Sequence, residues 1–403
     1  MKLLRNLLLL ILPFVLSSSA LAQGGTWKQI TGFPGGGRYA SVMFALGDTV
    51  YFGGGFAKKD FYSYLPSKGW KKLGDLPGVT ISRGAASAFV IGGNAYIGMG
   101  QDRTAINTNL NDLCRYNSTT DKWTRMADCP GEGRDGQFAF VINDTAYIGG
   151  GVDISKAILT DFYSYDPKHD KWNSLTDLTS GPGGVFFPAP FAVGGYGYIT
   201  TGSSISSEGT ATWQYDPSND SWITMANFPG EARQTAVSFV MNGKAYVGLG
   251  QAGYTTVYSN FFVYNAAKDE WDTAGFWPGA NGLAWSSAVA TSQGAIIGTG
   301  TDFQSAANGE LWLLTPPGAG VATAYPLFNV ATYPNPAHNK VRVDLPTAGA
   351  GYDIVLYNPI GARVKTATLD PSGFVDLSGL PSGIYDAVIS SNSVRTTKRI
   401  VKE

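Results

Sequence analysis

Cysteine and histidine are nearly missing from this 403-residue chain, which has two of each. Two cysteines exclude a Cys₄ zinc site and a disulfide framework. Two histidines, His169 and His338, leave no His-rich metal centre. Charge is sparse at 15%, and the net charge of −1 excludes a basic protein that coats nucleic acid. Beyond the N-terminus no run of eighteen apolar residues occurs, so no transmembrane helix is expected in the mature chain. The signatures G-x-S-x-G, H-E-x-x-H and the P-loop are absent too. In their place stand 52 glycines and an aromatic content of 13%. That mixture predicts many short strands, tight turns and aromatics packed between sheets.

The N-terminus reads as an export signal. Lys2 and Arg5 precede the apolar run Leu7 to Leu16, which is too short to span a bilayer, and Ala20-Leu21-Ala22 fits a cleavage site. Cleavage after Ala22 leaves 27 basic residues (29 less Lys2 and Arg5) and 30 acidic ones. Export enters a compartment that permits disulfides. Cys114 and Cys129 would close a loop of about fifteen residues, worth roughly 3 kcal/mol if bridged. The alternative is two separate buried thiols.

A strand ending in glycine recurs six times, starting at Tyr51, Tyr96, Tyr147, Tyr198, Tyr246 and Ile296. Five of the six are preceded by a pair rich in Gly, Asn or Asp, such as Asn143-Asp144 and Asn242-Gly243, suited to the positive φ of hairpin turns. Tyr116, Tyr165, Tyr215 and Tyr264 each stand seven residues before a tryptophan, and Tyr64 stands six before Trp70. Each unit of about fifty residues therefore predicts a four-stranded antiparallel meander. The sixth unit lacks its closing tryptophan, and Trp27 near the mature N-terminus is unmatched. Thr26 to Ile30 is thus expected to supply the missing strand and close a ring, burying the open edges.

These units resemble kelch repeats. The resemblance covers about residues 26 to 315 and implies an all-β fold, a six-bladed β-propeller. Thr200-Thr201 replaces the usual glycine pair in the fourth unit and Ile296 replaces tyrosine in the sixth, so both blades are expected to be locally irregular.

Beyond a Pro-, Gly- and Ala-rich stretch the repeat stops. Tyr333-Pro-Asn-Pro336, Asn358-x-x-Gly361, Leu380-x-x-Gly-x-Tyr385 and a Lys-rich last strand follow in order. Short alternating strands predict a small Ig-like β-sandwich. This segment resembles the C-terminal sorting domain of type IX secretion, which implies recognition by the outer-membrane export machinery of Bacteroidota-type bacteria. The expected organisation is a signal peptide at 1–22, the propeller at 23–318, a linker at 319–328 and the sorting domain at 329–403. The protein would pass through the periplasm and end secreted or attached to the outer surface.

Thirteen residues before each glycine-ended strand stand Arg38, Arg83, Arg134, Val185, Arg233 and Leu283. Four of the propeller's seven arginines share this register. The kelch resemblance implies a place near the mouth of the central channel, so the arginines could bind carboxylates or phosphates. A second reading makes them ties between blades, neutralised by Glu132 and Glu231. Phe186, Phe187 and Trp285 fall near the register where arginine is missing; they could stack on a sugar or fill the core between blades. The stretches Gln101 to Asn111 and Val152 to Thr160 are long loops of the kind that carry specificity.

A copper radical oxidase is ruled out, because His338 falls in the sorting domain and His169 in a turn. No cofactor and no metal are expected. The leading reading is a secreted propeller that binds a glycan or protein ligand through Arg38, Arg83, Arg134, Arg233, Phe187 and Trp285. A second is an epimerase or mutarotase of the sialic-acid kelch type, with Glu231 and Glu132 as its acid/base candidates. A third is an adhesive scaffold without a central site.

Overall fold

The structure, a computed structural model, describes residues 25–30, 32–78, 82–103, 108–205, 207–304, 307–315, 332–344, 352–357, 363–369, 372–390 and 395–403. The leader at 1–22 and the linker at 319–328 lie outside the described residues. The described chain is almost entirely β; its one helical element is a single 3₁₀ turn at Leu178–Ser180.

Among the described residues from Thr26 to Thr315 lie six four-stranded antiparallel sheets. Their innermost strands are Val42–Leu46, Ser87–Ile91, Phe138–Ile142, Ala189–Val193, Val237–Met241 and Ser287–Thr291. Each touches the innermost strands of the two adjacent sheets, and the sixth touches the first, so the sheets are blades around one axis. The sixth blade is completed by Thr26–Ile30, which pairs with the strand Asn308–Thr315 and sets Trp27 opposite Leu314. The fourth blade pairs without a break despite its threonines. The sixth carries a register shift between Gly298 and Gly300.

The junctions between blades follow from the glycine pattern. The last glycine of each unit has positive φ, from 83° at Gly100 to 115° at Gly300. A Cβ on Gly100 would stand 2.5 Å from the Gly84 carbonyl oxygen. Freed of a side chain, its amide reaches the next blade: Gly55, Gly100, Gly151, Gly202, Gly250 and Gly300 donate to the carbonyls of Arg83, Arg134, Val185, Arg233, Leu283 and Arg38 at 2.7–2.9 Å. These six bonds form a closed ring of main chain.

The tyrosine–tryptophan spacing serves the rims. Tyr165 lies opposite Trp172 across a strand pair, and its hydroxyl donates to Asp170 at 2.8 Å. Asp170 in turn accepts the amide of Ala127 in the preceding blade, while Trp172 Nε1 donates to the Ala127 carbonyl. Tyr264, Asp269 and Trp271 repeat the arrangement on Ala226.

The C-terminal segment has two sheets, of three and four strands, sharing one apolar core that includes Val341, Ile354, Leu356, Val375, Ile389 and Ile400. Its motifs are fastenings. Asn335 donates to the Arg399 carbonyl and accepts the Val401 amide, each at 2.8 Å, and Tyr385 donates to the Pro381 carbonyl at 2.7 Å.

The candidate bridge between Cys114 and Cys129 is not formed, and the alternative of two separate buried thiols holds. Cys114 lies on the third strand of the second blade, opposite Arg125. Cys129 packs in the core shared with the third blade, beside Phe89 and Ile148. Burial pushes the Cys114 thiol up to about 11 and that of Cys129 up to about 12, so neither is a ready nucleophile. A reductant should therefore leave the melting temperature unchanged, and a thiol-alkylating reagent should add mass only after unfolding. A drop of several degrees with reductant would restore the bridge.

Candidate functional site

The four register arginines do not face the channel. Their side chains are at most 1% exposed. Each guanidinium points into its own blade and is held there by a repeated set of acceptors. Arg83 donates from Nη1 to the Met99 carbonyl and to Asp112 Oδ1, and from Nη2 to the Pro77 carbonyl and Asp112 Oδ2, at 2.6–3.0 Å. Arg38 binds the Gly54 and Gly35 carbonyls and Asp60 in the same manner. Arg134 binds the Gly150 carbonyl and Asp161, and Arg233 binds the Leu249 carbonyl, Asn260 and Glu231. The expected arginine ring is thus a set of blade fastenings, because the fork is spent on internal acceptors.

The glutamates are corrected with them. Glu132 is exposed, and its carbonyl accepts Arg134 Nε. Glu231 is 62% exposed and paired with Arg233. Its own backbone amide, with help from Asn260 and Arg233, holds its carboxyl below the usual carboxylate range. Burial pushes Arg233 down to about 10, against the pull of Glu231. Glu231 therefore lacks the raised pKa that favours a general acid at neutral pH.

Two residues past the register the chain turns into the left-handed region in every blade, at Ala40, Ala85, Gly136, Phe187, Thr235 and Trp285. These residues and their successors line a cavity of about 180 Å³ at the channel mouth. Pockets that engulf a drug-sized ligand run to roughly 300–1,000 Å³, so a guest here would sit at the mouth.

Phe187 and Trp285 meet across this mouth, with ring centroids 4.5 Å apart at 67°. Both are half-buried. Trp285 continues to Phe56 at 5.8 Å, Phe56 to Tyr39 at 5.4 Å, and Phe187 to Phe186 at 5.6 Å. The result is a continuous aromatic belt. At its edge the exposed Arg103 lays its guanidinium 3.5 Å from the Phe56 ring centroid, held by Gln101 at 2.7 Å. Aromatics at the mouth were legible from the sequence; Phe56 and Arg103 were missed. The length of the loop after Gly100 was the available signal for Arg103.

Beside the belt lies Asp135, between Arg134 and the cavity-lining Gly136. It is 4% exposed, and its Oδ1 is buried without a hydrogen-bond partner. Lys156 Nζ stands 3.9 Å from the other carboxylate oxygen. Burial pushes the Asp135 carboxyl above its ordinary range, opposed by Lys156 and Arg103. Arg103, Lys156 and Asp135 all belong to loops leaving the end of the blades where the innermost strands begin. The mouth therefore gathers an apolar platform with Arg103, Lys156 and the Asp135 carboxyl beside it. Those groups can pack an apolar face, pair with an anion and transfer a proton.

Residues 85–292 match the KLHDC2/KLHL20/DRC7 Kelch-repeats domain, and residues 331–403 match a secretion system C-terminal sorting domain. The chain belongs to the Kelch-repeat family and ends in a type IX sorting domain, which supports a secreted or surface-attached protein. It is similar to proteins named N-acetylneuraminate epimerase. Identity is 36% over 111 residues with that of Shigella boydii serotype 4 (strain Sb227), and 35% over 111 residues with that of Escherichia coli (strain K12). Each match covers 26% of this chain and 30% of the relative. A solved structure titled "Structure of YjhT" superposes with a TM-score of 0.61 at 19% identity, covering 71% of this chain and 97% of that one; this likeness shows the fold. No helix among the described residues is long and apolar enough to cross a membrane.

Proposed function

We propose that this exported propeller binds an acidic sugar at the channel mouth. The observation that carries the reading is the aromatic belt ending in Arg103 over Phe56. A sugar ring offers a C–H face to Trp285 and Phe187, while its carboxylate meets Arg103 and Lys156. The sialic-acid class is supported by the names of the relatives.

Calorimetric titration with N-acetylneuraminate tests this. Binding should weaken as salt rises. Arg103→Ala should weaken it by about tenfold or more, because a charged hydrogen bond contributes roughly 1.5–3 kcal/mol, and Trp285→Ala should weaken it by removing the aromatic face on which the sugar packs. Equal affinity for the neutral sugar N-acetylmannosamine, or wild-type affinity in Arg103→Ala, would refute the reading.

A second reading, epimerisation of the same sugar, is favoured by one further observation. Asp135 is a carboxyl with a raised pKa next to two cations at this mouth. It replaces Glu132 and Glu231 as the acid/base candidate.

A further inference from the structure

The fourth blade repeats the arginine socket without the arginine. In the other sockets, the carbonyl just before the last glycine accepts Nη1, as at Gly54, Met99, Gly150 and Leu249. The residue at the entry to the third strand supplies a carboxylate or amide: Asp60, Asp112, Asp161 or Asn260. In the first and third blades an aromatic side chain from that strand faces the guanidinium, with Tyr62 5.9 Å from Arg38 and Tyr163 5.8 Å from Arg134.

The fourth blade keeps two of these parts. Thr201 occupies the carbonyl position in the same left-handed conformation, and Trp213 occupies the aromatic position. Val185 stands in place of the arginine and Ala211 in place of the aspartate. A cavity of about 200 Å³ results, lined by Val185, Thr201, Glu208, Ala211 and Trp213, with Ser203 and Ser207 at its side. Thr201 is 6% exposed, and its hydroxyl lies buried there without a hydrogen-bond partner. Ala211 and Ser207 are exposed, so the cavity opens to solvent. Glu208 brings a carboxylate to the wall, where its Oε1 accepts the Gly253 amide at 3.0 Å. In the sixth blade, which also lacks arginine, Leu283 is 2% exposed and packs in a hydrophobic core with Trp277 and Phe261.

We infer that the fourth-blade cavity is a binding site for a guanidinium group brought by a ligand. The guest stacks on Trp213 and donates to the Thr201 carbonyl, as internal arginines do at the matching positions; it also meets the Thr201 hydroxyl and pairs with Glu208, which are particular to this blade. The site is independent of the channel mouth.

The test uses the whole chain and agmatine as probe, with butylamine at the same ionic strength as the ammonium control. Calorimetry should show saturable agmatine binding and weaker butylamine binding. Ala211→Asp restores the missing carboxylate and should tighten agmatine by about tenfold, the change that 1.4 kcal/mol produces. Val185→Arg combined with Ala211→Asp fills the socket from within and should abolish agmatine binding. Because Ala211 is exposed, Ala211→Asp alone decides the matter if the double variant fails to fold. Tighter binding of N-acetylarginine N-methylamide than of agmatine would assign the guanidinium to a polypeptide; the reverse order would assign it to a small guanidine. No saturable heat with the wild type, no gain in Ala211→Asp, or a folded double variant that binds as well as the wild type would overturn the inference.

Discussion

Arg83→Ala should lower the free energy of unfolding by about 3–5 kcal/mol, the usual cost of removing one partner from a buried ion pair. The Arg83 ion pair is the most enclosed of the four, because Asp112 opposite it is only 4% exposed. Removing the guanidinium leaves the buried Asp112 carboxylate with only the longer 3.4 Å contact to the exposed Arg125, and leaves the Met99 and Pro77 carbonyls without their donor. At roughly 2–4 °C per kcal/mol for a domain of 150–250 residues, the melting temperature should fall by about 10 °C. Arg233→Ala should cost clearly less, because Glu231 is 62% exposed and water can replace the lost partner. Thermal denaturation of the two variants side by side checks the ranking. Equal, small losses would mean that the sockets are not what holds the blades. Arg83→Ala should leave the channel mouth intact in whatever fraction remains folded, so the sugar affinity of that fraction should be unchanged.

Asp135→Asn should act in the opposite direction on stability and strongly on turnover. The Asp135 carboxyl is raised above its unfolded value. Between those two values the folded state holds more protons than the unfolded one, so its contribution to stability falls as pH rises through that window and stays low above it. Asparagine removes the charge, so the variant should be more stable than the wild type at neutral pH and should lose this slope. In the epimerisation reading the same substitution removes the proton-transfer group and should slow turnover by about 10²–10⁴-fold, with sugar binding largely kept. Denaturant melts from pH 4 to 8, with anomer exchange followed by NMR, measure both. A variant less stable at neutral pH would contradict the raised pKa. Unchanged turnover would remove Asp135 from the chemistry and leave the binding reading standing.

The architecture was legible because it rests on repeated spacing. Six glycine-ended strands and their tyrosine–tryptophan partners carry enough period to specify blades, their number and the unmatched strand at Trp27. The register of Arg38, Arg83, Arg134 and Arg233 was equally visible, but its direction was not. Which way those side chains point depends on the left-handed turn two residues later, made at Ala40, Ala85, Gly136 and Thr235. No residue type announces that turn. Glutamates stand out beside the arginines in the sequence, whereas Asp135, the neighbour of Arg134 on its other side, becomes distinct only through its burial in the fold. Arg103 and Phe56 stand in loops of different length, and only the fold brings them together. Phe187 and Trp285 were found because they interrupt a pattern, and an interruption is visible wherever the pattern is strong.

The six glycine-to-carbonyl bonds that join the blades use no side chain at the accepting residue. Arginine, valine and leucine serve there equally well, because the acceptor is the peptide group. The scaffold and the interior of each blade are therefore separately mutable. A blade can lose its arginine, as the fourth has, and open a cavity while the circle stays closed. All six junctions are also alike, so the seam at Gly300 and Arg38 is no weaker by construction than the other five. The order in which blades are threaded along the chain is thus a matter of history, and a circularly permuted chain should build the same ring.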